Sequence, residues 1–158
     1  MADLGVQELV VWLLDEQRYA LPLACVERVL PAIDVTPLPE APRLVRGIVN
    51  VQGRIVPVVD MRQRFAHPPR ELLLADQLLL VRSPRRRLGF FVSAVSGVVE
   101  AAGDALVPSR SIVPGTSGIA GVLKLPDGLI LIHDLDRLLS LDDEQALDDA
   151  LHQRADAA

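Results

Sequence analysis

The sequence is poor in cysteine and in aromatic residues, and each shortage excludes a class of protein. Cys25 is the only cysteine in 158 residues, so the chain cannot form an internal disulfide, which suits a reducing compartment. Only 3% of the residues are aromatic, which argues against a protein that stacks nucleic-acid bases on aromatic rings. We therefore expect a cytoplasmic protein with no nucleic-acid partner.

Long apolar runs and a global basic field are also lacking. No apolar run approaches the roughly 18 residues that a membrane-spanning helix needs, and Met1 to Gln7 does not resemble a signal peptide. Residues 141–158 contain six acidic residues and one arginine and account for the whole net charge of −5. The rest of the chain is neutral and would attract neither nucleic acid nor anionic lipid, so we expect no direct membrane insertion.

Groups with catalytic or metal-binding spacing are scarce. None of His67, His133 and His152 has a second ligand at metal-binding spacing on one predicted element. His133 stands beside Asp134, and a solvent-facing or capping role is the favoured interpretation. Cys25 has no evident base and is interpreted as a buried structural thiol. We expect no enzyme, no metal and no cofactor.

What the sequence has in abundance is short apolar runs, paired across polar or glycine-containing turns. Such pairs predict β-hairpins of largely buried strands. The runs are Val10–Leu14 with Tyr19–Leu23, Gly47–Val51 with Ile55–Val59, Gln77–Val81 with Leu88–Val92, and Ile119–Leu125 with Leu129–His133. The predicted fold class is mainly β, with short helices and a C-terminal helix.

The two halves of the chain repeat each other. A shift of 69 positions places Leu9–Trp12 on Leu78–Val81, and a shift of 74 places Asp60 on Asp134. Each aspartate follows an apolar run, where a carboxylate can cap the start of a helix. The repeat predicts two small β-units, about 8–66 and 76–140, that pack together because neither buries enough surface alone; strand exchange between them stays open. Residues 141–158 form an acidic helix or tail, for which a solvated, partly frayed helix is the favoured interpretation.

The most distinctive stretch is RGIVNVQGRIVPVVDMRQRF, residues 46–65. Together with the opening hairpin LVVWLLDEQRYALPLACVERV and the closing GLILIHDLDRLLS, it resembles the CheW family of bacterial chemotaxis coupling proteins over residues 8–140. The resemblance implies a single CheW-like domain made of two five-stranded SH3-like β-barrels packed around a shared core.

The resemblance also implies a function and partners. Members of this family are non-catalytic adaptors that couple chemoreceptors to a CheA-type histidine kinase in chemosensory signal transduction. The expected partners are the regulatory domain of the kinase and the cytoplasmic hairpin tip of the receptor. We expect a monomer when free, recruited in the cytoplasm to membrane-associated receptor arrays.

Residue roles follow from the resemblance position by position. The expected kinase-binding residues are Val26, Arg28, Arg46 and Gly47. The expected receptor-binding residues are Asn50, Gln52, Ile55, Leu78 and Val98. The apolar members of both sets could equally be core residues.

Three departures from the family pattern suggest altered partner choice. Gln52 stands where the family usually has arginine, Arg28 where an acidic residue is common, and Ser93 where aspartate is frequent. Charge changes at a rim can exclude wrong partners, so the chain could serve a dedicated receptor–kinase cluster. Two alternatives stay open: a small-molecule-binding β-barrel sensor, and a CheW-like polar-localisation scaffold without kinase activation.

Overall fold

The computed structural model describes the backbone of residues 7–102, 106–108 and 119–157, and the side chains of 7–102 and 120–154. The strands are β1 Gln7–Leu14, β2 Gln17–Pro22, β3 Val26–Pro31, β4 Val45–Val51, β5 Arg54–Val59, β6 Gln77–Arg82, β7 Arg87–Val92, β8 Ala94–Ala101, β9 Leu106–Pro108, β10 Ile119–Leu125 and β11 Gly128–His133. The α-helices are α1 Met61–Arg64 and α2 Leu141–Ala157, and the 3₁₀ helices include Leu23–Cys25 and Leu135–Arg137.

The strands form two sheets of equivalent order. One sheet runs β8-β1-β2-β11-β10-β9 and the other β3-β6-β7-β5-β4. The mainly-β fold of two five-stranded units with a C-terminal helix is confirmed, and the three-residue β9 adds a sixth strand to the first sheet. The first five strands of one sheet are the repeat equivalents of the five strands of the other, in the same order.

Each sheet contains a hairpin from the other half of the sequence. The β1–β2 hairpin joins the late strands, and the β6–β7 hairpin joins the early ones. The joints are parallel and equivalent: β2 pairs with β11, and β7 pairs with β5. The two halves are therefore interwoven by exchanged hairpins.

The central strands are buried on both faces, which explains their continuous apolar sequences. Leu78 and Leu80 of β6 pack inside the five-stranded sheet, whereas Leu79 and Val81 pack into a core shared with the other sheet. A third cluster, which includes Leu9, fills the six-stranded sheet. The period of two along a strand assigns neighbouring residues to different cores.

The few aromatic residues concentrate in the shared core. Trp12 stacks on Tyr19 with ring centroids 4.8 Å apart and lies 5.1 Å from Phe90. Tyr19 stacks in turn on Phe65 at 4.7 Å. Offset and tilted pairs at these distances add stabilisation beyond the apolar area they bury.

The predicted aspartate caps are confirmed. The Asp60 carboxylate accepts a hydrogen bond from the Gln63 amide at 3.1 Å, and Asp134 accepts one from the Asp136 amide at the same distance. Arg64 joins the two capped segments, because its guanidinium donates to the carbonyl oxygens of Leu138 and Arg137.

Two expectations about side-chain environment are wrong. His133 is neither solvent-facing nor a cap: it is 2% exposed and packs edge-on between Phe65 and Phe90. Cys25 is half-buried rather than fully enclosed. Both side chains lie near the junction of the halves, where strands distant in sequence meet.

The C-terminal segment is also not a solvated tail. Leu147 and Ala150 of α2 are buried in the shared core, and the Ser140 hydroxyl accepts a hydrogen bond from the Asp143 amide. Arg86 of the β6–β7 turn donates to Glu144 at 2.8 Å and also contacts Asp148. The frayed-helix interpretation fails because the helix has one apolar edge and an arginine that anchors it.

Leu147→Ala should therefore destabilise the whole protein. Removal of a fully buried leucine side chain costs about 2–5 kcal/mol, which a urea titration would show as a lower midpoint. Leu141→Ala is the matched control, since Leu141 is 71% exposed at the start of the same helix. Equal midpoints for the two variants would contradict the docked helix.

The carboxylate of Asp15, in the β1–β2 turn, lies close to three basic side chains. Both terminal nitrogens of Arg62 donate hydrogen bonds to its carboxylate, at 2.9 and 2.7 Å. The Nδ1 atom of His67 lies 3.2 Å from the same carboxylate, and the Nε atom of Arg70 lies 4.0 Å from it. The hydrogen bond from Arg62, followed by that from His67, lowers the pKa of Asp15 from 3.8 to about 2 against the opposing effect of burial. The turn is thus attached to α1 and to the linker between the halves.

This network predicts an acid-dependent loss of stability. The pKa of Asp15 is lower in the folded chain, so its contribution is present above 3.8 and is lost as the pH falls toward about 2. Asp15→Asn should unfold at lower urea than the wild type at neutral pH, and the gap should shrink between about pH 5 and pH 2. Glu16→Gln, one residue further along the turn, should show no such gap. A gap that stays constant across this range would contradict the assignment.

Candidate functional site

A groove of about 490 Å³ lies on the five-stranded sheet. Its lining comes from both edge strands and from the strands between them. The residues are Glu27 and Arg28 of β3, Val51 of β4, Gln52 in the turn, Arg54 and Val56 of β5, Leu80 of β6 and Arg87 of β7. Because β3 and β4 stand at opposite edges of the strand order, the sheet must curl to bring them to one groove.

The groove combines a basic rim with an apolar floor. Arg87 donates to Glu27 at 2.8 Å, which leaves Arg28 and Arg54 without an ion-pair partner among the residues that the structure describes. The apolar floor is formed by Val51, Val56 and Leu80. An acidic segment with an apolar contact residue would complement this surface.

The β4–β5 turn fixes one end of the groove. Gln52 and Gly53 have positive φ angles of 52° and 83°, the conformation of a two-residue type I′ hairpin turn. The Asn50 side-chain oxygen accepts a hydrogen bond from the Gly53 amide at 2.8 Å. Asn50, one of the expected receptor residues, therefore holds the turn that presents Gln52.

Gly47 and Arg46 occupy β4 beside the chain that connects β3 to β4. Gly47 has φ 155°, and a Cβ there would lie 2.2 Å from the Thr36 carbonyl oxygen. Thr36 pairs with Ile48 through two hydrogen bonds of 2.9 and 2.8 Å. Gly47 is buried and lets the connector cross β4, whereas Arg46 is exposed and lies 5.6 Å from the ring centre of Phe91.

The remaining expected site residues are dispersed. Val26 is half-buried against the shared core, Ile55 is 48% exposed, and Val98 is 52% exposed on β8 of the other sheet. The side chain of Leu78 is fully buried in the five-stranded sheet and is not exposed to a partner in this structure. Leu78 takes the core role that the sequence left open.

Of the expected residues, the structure brings Arg28 and Gln52 together in the groove, and both are departures from the family pattern. Sequence reasoning missed Arg54 and the Glu27–Arg87 pair. The alternation of polar and apolar residues identified the strands, but no local signal shows that β3 and β7 place Glu27 beside Arg87. Exposed Val29 on edge strand β3 was also missed.

Asp15, His67 and Tyr19 form a carboxylate–imidazole–hydroxyl chain, which invites a catalytic interpretation. The Tyr19 hydroxyl lies 2.9 Å from the Nε2 atom of His67. The other ring nitrogen of His67, Nδ1, contacts the Asp15 carboxylate. Burial, and then the charge of Asp15, raises the pKa of Tyr19 to about 12. The hydroxyl is therefore protonated near neutral pH, and the Tyr19 ring belongs to the aromatic stack of the core.

In residues 7–102, 106–108 and 119–157, no cluster of three histidine, cysteine or acidic side chains is placed to hold a metal ion. Within the same ranges, no helix has both the length and the apolar character needed to cross a membrane.

Two equivalent curled sheets around a shared core place the chain in the class of two-unit, SH3-like β proteins. A family model described as the CheW-like domain matches residues 8–143. The chain therefore belongs to the CheW family.

Named relatives resemble most of the chain. It is 24% identical over 144 residues to the chemotaxis protein CheW of Rhizobium meliloti, covering 90% of this chain and 93% of the relative. It is 26% identical over 132 residues to that of Thermotoga maritima, covering 84% and 87%. The crystal structure of the scaffolding protein TtCheW from Thermoanaerobacter tengcongensis superposes with a TM-score of 0.80 at 27% identity, over 88% of this chain and 96% of that one.

Because the connector that contains Thr36 passes directly beside Gly47, we expect a larger side chain at position 47 to destabilise the protein. Gly47→Ala would force a Cβ against the Thr36 carbonyl, and such overpacking costs about 1–3 kcal/mol. Gly97→Ala is the control, because Gly97 also has a positive φ, 134°, but its Cβ would meet nothing within 4 Å. The urea midpoint should fall further for Gly47→Ala, and the reverse order would contradict the close approach.

Proposed function

We propose that this chain is a non-catalytic coupling protein of a bacterial chemosensory system, linking chemoreceptors to a CheA-type histidine kinase. Membership of the CheW family over residues 8–143 carries this proposal. The protein is a monomer in the cytoplasm when it is free, and it acts when it is recruited to receptor arrays.

The proposed kinase surface is the groove and the adjoining edges of the five-stranded sheet. Arg28 and Arg54 supply unpaired positive charge, and Val51, Val56 and Leu80 supply an apolar floor. We also assign Arg46 of β4 and Val26 of β3 to the kinase contact, although neither of them lines the groove. The partner that fits is a kinase regulatory domain whose facing strand or turn carries acidic side chains.

The proposed receptor surface is apolar. Val98 on β8 and Val29 on β3 are exposed on edge strands, and Leu23 is exposed in the 3₁₀ helix that precedes β3. Such exposed aliphatic side chains could contact one face of a helical hairpin. Asn50 and Ile55 lie beside the groove-bearing turn, and we assign them to the rim of the receptor contact.

Charge at the groove supports a dedicated kinase partner. Arg28, an expected kinase residue, and Gln52, an expected receptor residue, line one concavity, so we now assign both residues to the kinase contact. A kinase adapted to an acidic residue at position 28 would meet like charge from Arg28 if its own facing residue is basic, which disfavours binding. We therefore propose that dedicated pairing depends on both residues of the groove together.

Arg28→Glu should weaken binding to the native kinase domain by about tenfold or more, since it reverses a charge at the contact. Isothermal titration with the purified regulatory domain from the same organism measures this effect. Arg85→Glu is the matched control, because Arg85 is an exposed arginine in the β6–β7 turn outside the groove. Similar losses for both variants would point to general charge attraction and would contradict a groove contact.

Gln52→Arg tests partner choice. The variant should bind kinases of other chemosensory clusters more tightly than the wild type does, while its circular dichroism spectrum stays the same. No change in preference across several kinases would contradict a dedicated pairing. Separate pull-downs with receptor and kinase distinguish coupling from a polar-localisation scaffold, which would retain one partner and lose the other.

A further inference from the structure

A second cavity, of about 410 Å³, lies at one end of the six-stranded sheet. The 3₁₀ helices Leu23–Cys25 and Leu135–Arg137 flank it, and the ends of β2 and β11 contribute to its wall. The wall is mainly apolar, and it shares no residue with the lining of the basic groove. The internal repeat gives this cavity a counterpart on the five-stranded sheet.

The hydrogen-bond registers relate the two sheets residue by residue. Ile132 pairs with Ala20 where β11 meets β2, and Val58 pairs with Gly89 where β5 meets β7. Residues 132 and 58 differ by 74 positions and residues 20 and 89 by 69, which are the two shifts that relate the halves of the sequence. A lining residue of the cavity therefore has a definite equivalent in the other sheet.

The counterpart of the cavity is a pocket of only about 20 Å³, which leaves room for about one water molecule. Its lining includes residues of α1 and their cap Asp60, which correspond to the Leu135–Arg137 helix and its cap Asp134. Asp76 in this lining corresponds to Gln7 in the lining of the cavity. The same place in the repeat is therefore open on one sheet and almost closed on the other.

The linker between the halves closes the counterpart pocket. Arg70, Glu71 and Leu72 of the linker are among its lining residues, and no described residue takes the corresponding place in the cavity. Leu72 packs against the apolar cluster inside the five-stranded sheet. Both terminal nitrogens of Arg70 donate to the buried carboxylate of Asp76, at 2.8 and 2.9 Å. A chain segment thus fills this place with an aliphatic side chain and with a cation two residues before it.

The lining of the cavity is acidic at a position where that of its counterpart is basic. Asp136 stands in the place of Arg62. Asp134, which lies 3.6 Å from Arg137, adds a second carboxylate. Among its described lining residues the cavity has no arginine or lysine. Its charge is therefore complementary to a cationic side chain.

Asp136 is placed to pair with such a cation. In the counterpart pocket, Arg62 and Arg70 both approach Asp15, so position 62 lies near the cation of the filling segment. Asp136, at the equivalent position, is exposed and has no ion-pair partner among the residues that the structure describes. A carboxylate there attracts the cation of an occupant, whereas the arginine of the counterpart repels it.

We infer that this cavity receives a segment of a partner protein in which a lysine or arginine stands two residues before an aliphatic side chain. The aliphatic side chain packs on Ile132, because Val58, the equivalent of Ile132, belongs to the cluster that Leu72 contacts. The cation pairs with Asp136. The site lies outside the groove, so the inference does not depend on the proposed function.

Three matched peptides test this inference on the full chain. The first is PRQLLLA with blocked ends, which copies residues 69–75 of the linker but carries glutamine for Glu71, an acid that the carboxylates of the cavity would repel. We expect it to shift the Ile132 and Leu135 methyl NMR resonances in a saturable manner. A peptide with alanine for the first leucine should bind about tenfold more weakly. A peptide with glutamate for the arginine should bind about fivefold more weakly.

Three variants locate the contact. Asp136→Arg should reverse the charge preference, so that the glutamate peptide binds more tightly than the arginine peptide. Asp34→Arg, at an exposed carboxylate of the β3–β4 connector outside the cavity, is the matched control and should keep the wild-type preference. Ala120→Trp obstructs the cavity from an exposed position and should abolish binding of all three peptides.

Several results would overturn the inference. They are the lack of any shift at Ile132 or Leu135 up to the solubility limit of the first peptide, equal affinity for the arginine and glutamate peptides, and unchanged binding in a folded Ala120→Trp variant. Shifts confined to the groove would also contradict it. Peptide binding that occurs only after residues 1–6 are deleted would make the chain itself the occupant and would exclude the assignment to a partner.

Discussion

The apolar core shared by the two sheets is the constraint on which the rest of this structure depends. β6 sends Leu79 and Val81 into it, while the alternate residues Leu78 and Leu80 fill the sheet's own interior. Because the hairpins are exchanged, neither half of the sequence can complete its sheet alone. Burial of apolar surface therefore couples both halves into one folding unit.

Polar contacts hold the helices and the first turn in place around the apolar core. Arg64 connects α1 to the segment capped by Asp134, and Arg86 holds α2 through Glu144. Asp15 ties the first turn to the linker between the halves. These ties lie at the perimeter of the core, where strands and helices end and backbone or side-chain charges need partners.

The exposed features lie at the edges of the sheets, because the two faces of the central strands are occupied by core packing. The curl of the five-stranded sheet brings β3 toward the β4–β5 turn and forms the basic groove. The second cavity lies where β2 and β11, from opposite halves, meet in parallel. Both concavities are products of the pairing between distant segments.

Much of the fold could be predicted from local pattern. The apolar runs, the internal repeat and the aspartates at positions 60 and 134 identified hairpins and caps, because these features depend on residues a few positions apart. The environment of His133 could not be predicted, since its burial results from Phe65 and Phe90, which lie far away in the sequence. The docking of α2 was missed for the same reason, because Arg86 is its anchor.

The sequence by itself determined the strands, the turns, the two-fold repetition and the family. Only the tertiary structure decided which strands pair, that Leu78 is buried while Val98 is exposed, and that Arg28 and Gln52 line one groove. The physical reason is that periodicity reports whether a residue has an apolar environment. It does not report which distant strand provides that environment or which edge remains open to a partner.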